Sequence, residues 1–259
     1  MAKIAKFKEG ISESWVRGRL WDLISNAFPF GESALCGVPN LGLADPADIT
    51  YFSENFVNND SLSRLNQTKD GSPTAGIEDA VGGVAKFVTT TTKNDENYYH
   101  TAEVFKFEEG KPLWFEARFK CVEKDTNKLG GIIGIMSAWG TNALVDNDAT
   151  PATTFDGFVF YKKSGTDLKL RLKVSKGSTQ VDKELCTYAS NTFYKVGVFF
   201  NGKAEADNLE IWVDDVNMGT ATLSLATPTE VGVGFGVKAT SASKAEEFYI
   251  DYVTCVQLR

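Results

Sequence analysis

A single histidine, His100, stands in 259 residues, and that scarcity closes several chemistries at once. A metal centre built on several histidines is excluded by number. A Ser-His-Asp or Cys-His centre would have to use His100, which lies in a Tyr-Tyr-His run on a predicted strand with no nucleophile-elbow sequence nearby. It reads as structural. Four cysteines, Cys36, Cys121, Cys186 and Cys255, form no CxxC pair, so zinc spacing is absent and buried free thiols of a reducing cytosol are expected. Neither a P-loop nor a dinucleotide fingerprint occurs. No apolar run approaches the roughly 20 residues of a membrane span, and the early lysines are not followed by the apolar core of a secretory signal. With 27 basic against 34 acidic residues the net charge is −7, the wrong sign for nucleic acid, which needs clustered Lys and Arg. No cofactor is implied.

What is present is sheet. Residues 192–201 (TFYKVGVFFN) and 209–218 (LEIWVDDVNM) are rich in aromatic and β-branched residues, and side chains alternate across a strand. That alternation puts Tyr194, Val196, Val198 and Phe200 on one face, and Leu209, Ile211 and Val213 on another, with Glu210, Trp212 and Asp214 opposite. Residues 202–208 make an exposed connector, and residues 215–219 turn the chain again. Further strands are predicted at 49–57, 84–92, 98–107, 113–122, 131–139, 155–162, 168–174, 178–188, 231–238 and 246–258. Residues 113–122 alternate as a half-buried antiparallel strand should, with Trp114, Glu116, Arg118 and Lys120 on the outward side. Residues 131–139 are almost wholly apolar and read as a central strand covered on both faces. In 231–238 (VGVGFGVK) glycine falls at alternate positions and leaves one bare face for a close neighbour. Residues 58–79 and 140–154 read as long polar loops. Eleven or twelve strands without an internal repeat predict an all-β, two-sheet antiparallel sandwich over residues 49–259.

The N-terminal residues 1–48 differ. In 1–30, Ile11, Trp15, Val16, Leu20, Trp21, Leu23, Ile24, Ala27 and Phe28 recur mostly at helical spacing, with Ser12 as a cap and Pro29 as a stop. Three readings stay open: a helix packed on its own domain, an arm that docks on another chain, or disorder. Trp15, Val16, Arg17, Leu20, Trp21, Ile24 and Phe28 are the candidate docking residues, because Trp and Arg dominate binding hot spots. Residues 31–48 read as a linker.

Paired carboxylates for glycoside hydrolysis are not evident. Glu247 and Asp251 are about 13 Å apart along one strand, Asp182 and Glu184 lie in a solvated segment, and Asp214 and Asp215 point to opposite faces. Sugar binding without catalysis needs aromatic platforms beside polar groups; Trp139, Tyr161, Trp212 and Tyr249 are the candidates, weighed against packing roles. Asp146, Asn147 and Asp148 are the one compact supply of calcium ligands and read as a solvated turn.

Two resemblances follow from particular runs. Residues 193–219, ending V-D-x-x-x-x-G at Val213, Asp214 and Gly219, together with FYIDYVTCVQ at 248–257, resemble the laminin-G and concanavalin A-like jelly rolls. The E-x-D-x-E signature of glucanases on that fold is missing. GGVAKF, NDEN, VFKFEEGKPLWFEARFK, ALVDN and FDGFVFYK, spanning residues 82–162, resemble virion structural proteins of tailed bacteriophages. That second resemblance implies a non-enzymatic capsid decoration or cement protein on the outside of the head. Its partners would be the major capsid protein and itself, as a homo-oligomer with a trimer preferred over a dimer. A carbohydrate-binding adhesion module recognising host-surface glycans is the alternative, and an endo-glycosidase comes third.

Overall fold

The computed structural model of the chain describes residues 49–57, 60–78 and 83–259. The arm residues Trp15, Val16, Arg17, Leu20, Trp21, Ile24 and Phe28 lie outside the described residues, as does the linker. Sixteen strands follow in order: β1 (Ile49–Glu54), β2 (Asn66–Asp70), β3 (Thr74–Glu78), β4 (Val84–Val88), β5 (Glu96–His100), β6 (Phe105–Lys106), β7 (Leu113–Val122) and β8 (Leu129–Met136) form the first half. The second half holds β9 (Gly157–Lys162), β10 (Lys169–Lys176), β11 (Thr179–Thr187), β12 (Tyr194–Phe200), β13 (Leu209–Val213), β14 (Val216–Ala221), β15 (Glu230–Ala239) and β16 (Glu247–Leu258). One helical turn, α1 (Asp60–Ser63), precedes β2.

All pairings are antiparallel. The first sheet runs β14-β13-β12-β7-β16-β4-β3, with β1 also on β16; the second runs β11-β10-β9-β8-β15-β5-β2, with β6 also on β15. The expected two-sheet sandwich is therefore the observed one. Its core lies between the inner faces, where Phe115, Phe119, Val198, Phe200, Phe248 and Val253 of the first sheet meet Ile133, Ile135, Phe158, Phe160, Val233 and Phe235 of the second. Edge and tilted ring pairs such as Phe115–Phe158 (5.6 Å) and Phe87–Phe235 (5.5 Å) bridge the sheets.

Three expectations are corrected. Residues 58–79 contain two strands: β2 and β3 have few apolar residues because each sits at a sheet edge and faces water, and each pairs with a different sheet. Residues 215–219 are mostly strand, since the chain reverses one step earlier, at Asp214 and Asp215 (φ +46° and +68°), and β14 pairs back on β13. Strand β7 is covered on both faces over its first half, with Trp114 and Glu116 buried although they point away from the core.

A second, smaller apolar cluster sits on the outer face of the second sheet. Tyr98, Ile132, Met136, Trp139, Val159 and Tyr161 are roofed there by Ala143, Leu144, Ala149 and Phe155. The polar loop read at 140–154 is thus an ordered cover, closed by a bridge between Leu144 and Pro151.

Candidate functional site

The glycines of β15 shape the site. Gly232, Gly234 and Gly236 alternate with the core residues Val233, Phe235 and Val237, so the outer side of this central strand carries no side chains between Glu230 and Lys238. Trp139 fills the bare strip. Its ring atoms occupy the place of a Cβ at Gly234, and its indole N–H donates to the Gly232 carbonyl at 2.8 Å. His100, at the end of the neighbouring β5, stacks offset and nearly parallel to the indole (6.5 Å, 11°). Its Nδ1–H donates to the Thr101 carbonyl at 2.9 Å, which leaves Nε2 as the acceptor 3.5 Å from the Thr68 hydroxyl.

Beyond these rings the loop cover stops and an open cleft of about 450 Å³ begins. Trp139, only 8% exposed, and the half-buried His100 form its floor, and Asn66, Glu103, Thr141 and Asn142 supply polar groups at its walls. Glu103, Asn66, Thr141 and Asn142 are exposed, though Asn142 Oδ1 is engaged by Lys238.

A buried polar network fixes one wall. Lys238 and Glu96 are cross-strand partners in an almost fully buried ion pair at 2.8 Å. Glu96 also accepts the Asn142 backbone N–H at 2.8 Å and the Tyr98 hydroxyl at 3.1 Å. Lys238 donates to Asn142 Oδ1 and Asp146, both at 2.6 Å. Every donor of the ammonium therefore has an acceptor, the condition under which a buried charge is tolerated. Asn147 and Asp148 take other roles: the Asn147 N–H donates to Asn94 Oδ1 at 3.1 Å, and Asp148 accepts from Thr150. Among the described residues no three acidic, histidine or cysteine side chains gather as metal ligands.

The sequence candidates do not form one surface. Trp139 lies in the cleft. Tyr161 is on the same face but buried beneath the loop, with its hydroxyl donating to Asp182 at 2.5 Å, so it offers no platform to a ligand. Trp212 belongs to β13 and faces outward from the opposite sheet, as does Tyr249 of β16. The acidic pairs are engaged by cations. Arg171 binds both Asp182 (3.4 Å) and Glu184 (2.6 Å), Glu247 meets Lys86 and Lys124, and Asp251 meets Arg118. His100, read from sequence as structural, does pack on Trp139, yet it also lines the cleft. What hid it was distance: Asn66, His100, Glu103 and Asn142 are brought together by the β2–β5 and β5–β15 pairings, and no spacing rule within one segment connects them.

No family model matches the chain, and no curated protein matches it. Solved structures do. Peanut lectin, solved with a nine-residue peptide, is 16% identical with a TM-score of 0.57, over 82% of this chain and 99% of the lectin. The lectin UEA-II complexed with galactose is 11% identical with a TM-score of 0.56, over 81% and 99%. An endo-β-1,4-glucuronan lyase from the fungus Trichoderma reesei is 12% identical with a TM-score of 0.56, over 80% and 94%. At these identities the likeness is one of architecture, and it makes the fold a lectin-like jelly-roll sandwich.

Proposed function

We propose that this chain is a carbohydrate-binding module whose site is the cleft floored by Trp139 and His100. The observation that carries the reading is the cleft itself: an aromatic floor ringed by Asn66, Glu103, Thr141 and Asn142, on the outer face of the second sheet. Sugar rings present an apolar face of C–H groups and an edge of hydroxyls, and a site of this composition meets both. The lectin architecture supports the reading. Binding without turnover is supported by the carboxylates considered for catalysis: Asp182, Glu184, Asp215, Glu247 and Asp251 are held by Lys or Arg, and Asp214 accepts a backbone N–H. The capsid-decoration role has the sequence runs of residues 82–162 as its sole support, so sugar binding leads, and a sugar-binding module on a virion would satisfy both.

A glycan array probed with the full chain tests this, followed by titration of the best glycan against His100→Ala and Glu103→Ala. Saturable binding weakened at least tenfold by either substitution is the expected result. Absence of saturable binding to any glycan, or affinity untouched by both substitutions, overturns it.

A further inference from the structure

The cleft carries charge of one sign. Among the described residues that line it, Glu103 is the one carboxylate, and none is Lys or Arg. Glu103 is exposed. Behind the neighbouring wall the Lys238 ammonium lies between two carboxylates, Glu96 at 2.8 Å and Asp146 at 2.6 Å, so that cluster is negative on balance. The Lys238 side chain is 1% exposed and that of Asp146 is 46% exposed, so the cation is withheld from solvent while a carboxylate is presented to it. Tyr98 beneath the cover responds to this balance: burial first, and then the charges of Glu96 and Asp146, hold its hydroxyl well above the usual range. On β2, residues 66, 68 and 70 stand opposite His100, Tyr98 and Glu96 and so share the face of the cleft. Asp70 adds a further exposed carboxylate there, while Lys69 points the other way.

We infer that the sugar this cleft selects carries a protonated amine, as a glucosamine unit does, and that Glu103 is the residue that selects it. The inference rests on the reading of the cleft as a sugar site and adds the class of sugar. Three effects act together. The Glu103 carboxylate accepts a charge-assisted hydrogen bond from an ammonium group. The negative surroundings raise the local concentration of cations over that of neutral or anionic ligands. The exposed part of the Trp139 face attracts a cation as well. A sugar acid meets the same features as repulsion, and no Lys or Arg among the described lining residues receives its carboxylate. A neutral sugar keeps its hydrogen bonds to Asn66 and Thr141 and forgoes only the ion pair. The charges therefore order the ligands as amine over neutral over acid.

The test titrates the full chain with tetrasaccharides of glucosamine, N-acetylglucosamine and galacturonic acid, in a buffer acid enough to keep the glucosamine amine charged. The glucosamine form should bind about fivefold more tightly than its acetylated counterpart, the factor that one exposed ion pair supplies at its upper end, and the galacturonic acid form should bind weakest. In Glu103→Gln, which keeps the size of the side chain and removes its charge, the ratio of the first two affinities should fall to near one. In His100→Ala both affinities should drop while their ratio stays. Equal affinity for the amine and acetylated forms, tightest binding of the acid, or a ratio untouched by Glu103→Gln overturns the inference and leaves the sugar site standing. Silence on all three with saturable binding of another glycan on the array does the same. Silence across the whole array overturns the sugar site, and the inference with it.

Discussion

Trp139 occupies the space that a side chain on Gly234 would need: a Cβ built there falls among the indole carbons. The floor of the cleft thus depends on a residue that contributes no atoms to it. Gly234→Ala should move the ring, with an overpacking cost of about 1–3 kcal/mol, and should weaken glycan binding in step. Gly76→Ala on edge strand β3 is the control, because a Cβ there meets nothing within 4 Å; its effect should stay within about 0.5 kcal/mol. Urea unfolding and near-ultraviolet circular dichroism of the two variants make the comparison.

The Glu96–Lys238 pair holds the cleft wall at a stability risk. Lys238→Met would leave Glu96 buried without its cation, a loss of about 3–5 kcal/mol, and would release Asn142 and Asp146. The double substitution Glu96→Leu/Lys238→Met removes both charges and should recover much of that loss in urea unfolding. It should not restore the wall, so limited proteolysis at residues 140–154 is expected to be faster in both variants.

Glu116 gives stability a pH dependence whose sign follows from its raised value. Burial is the dominant cause, opposed by the Tyr252 hydroxyl. In the unfolded chain a glutamate ionises near about 4.3, whereas the folded protein keeps this proton to about 8. The folded state binds more protons across that window, so the contribution is complete below the lower value and is lost progressively as pH rises to the upper one. Glu116→Gln should flatten the slope and exceed the unsubstituted protein at pH 8 by about 1–2 kcal/mol. Glu246, pushed up to about 7 by burial, tilts both proteins alike, so the difference between their urea midpoints at pH 5, 6.5 and 8 isolates Glu116.

The sandwich was legible because its central strands obey period two. Residues 131–139 and 231–238 declare a buried strand and a bare glycine face, and the structure places Trp139 on that face. Edge strands were not legible: NQTKD and TAGIE pair mainly through the backbone and polar side chains and bury little beyond Ala75 and Ile77, so hydropathy carries little trace of them. The cleft was legible only through Trp139. Its other residues come from β2, β5 and two loops, and converge through long-range pairing. The burial of Trp114 and Glu116 was hidden for a related reason: alternation tells which side of a strand a residue faces, not whether that side is later covered.

The misplaced turn after β13 yields the last prediction. Val213 pairs with Val216, so Asp214 and Asp215 are the two residues of a tight hairpin, and both have positive φ as a type I′ turn requires. Glycine at 219 drew the sequence reading past them, although aspartate tolerates that conformation through local hydrogen bonding. Here Asp214 Oδ1 accepts the Lys195 N–H at 2.9 Å, while the Asp214 N–H donates to the Lys195 carbonyl at 2.8 Å. Asp214→Ala removes the side-chain acceptor and leaves a Cβ residue at positive φ without compensation, a loss of about 1–2 kcal/mol. Asp214→Asn keeps both the oxygen and the tolerance, and should fall within about 0.5 kcal/mol of the unsubstituted chain. Equal urea midpoints for the alanine and asparagine variants would show that the turn is held by strand pairing alone.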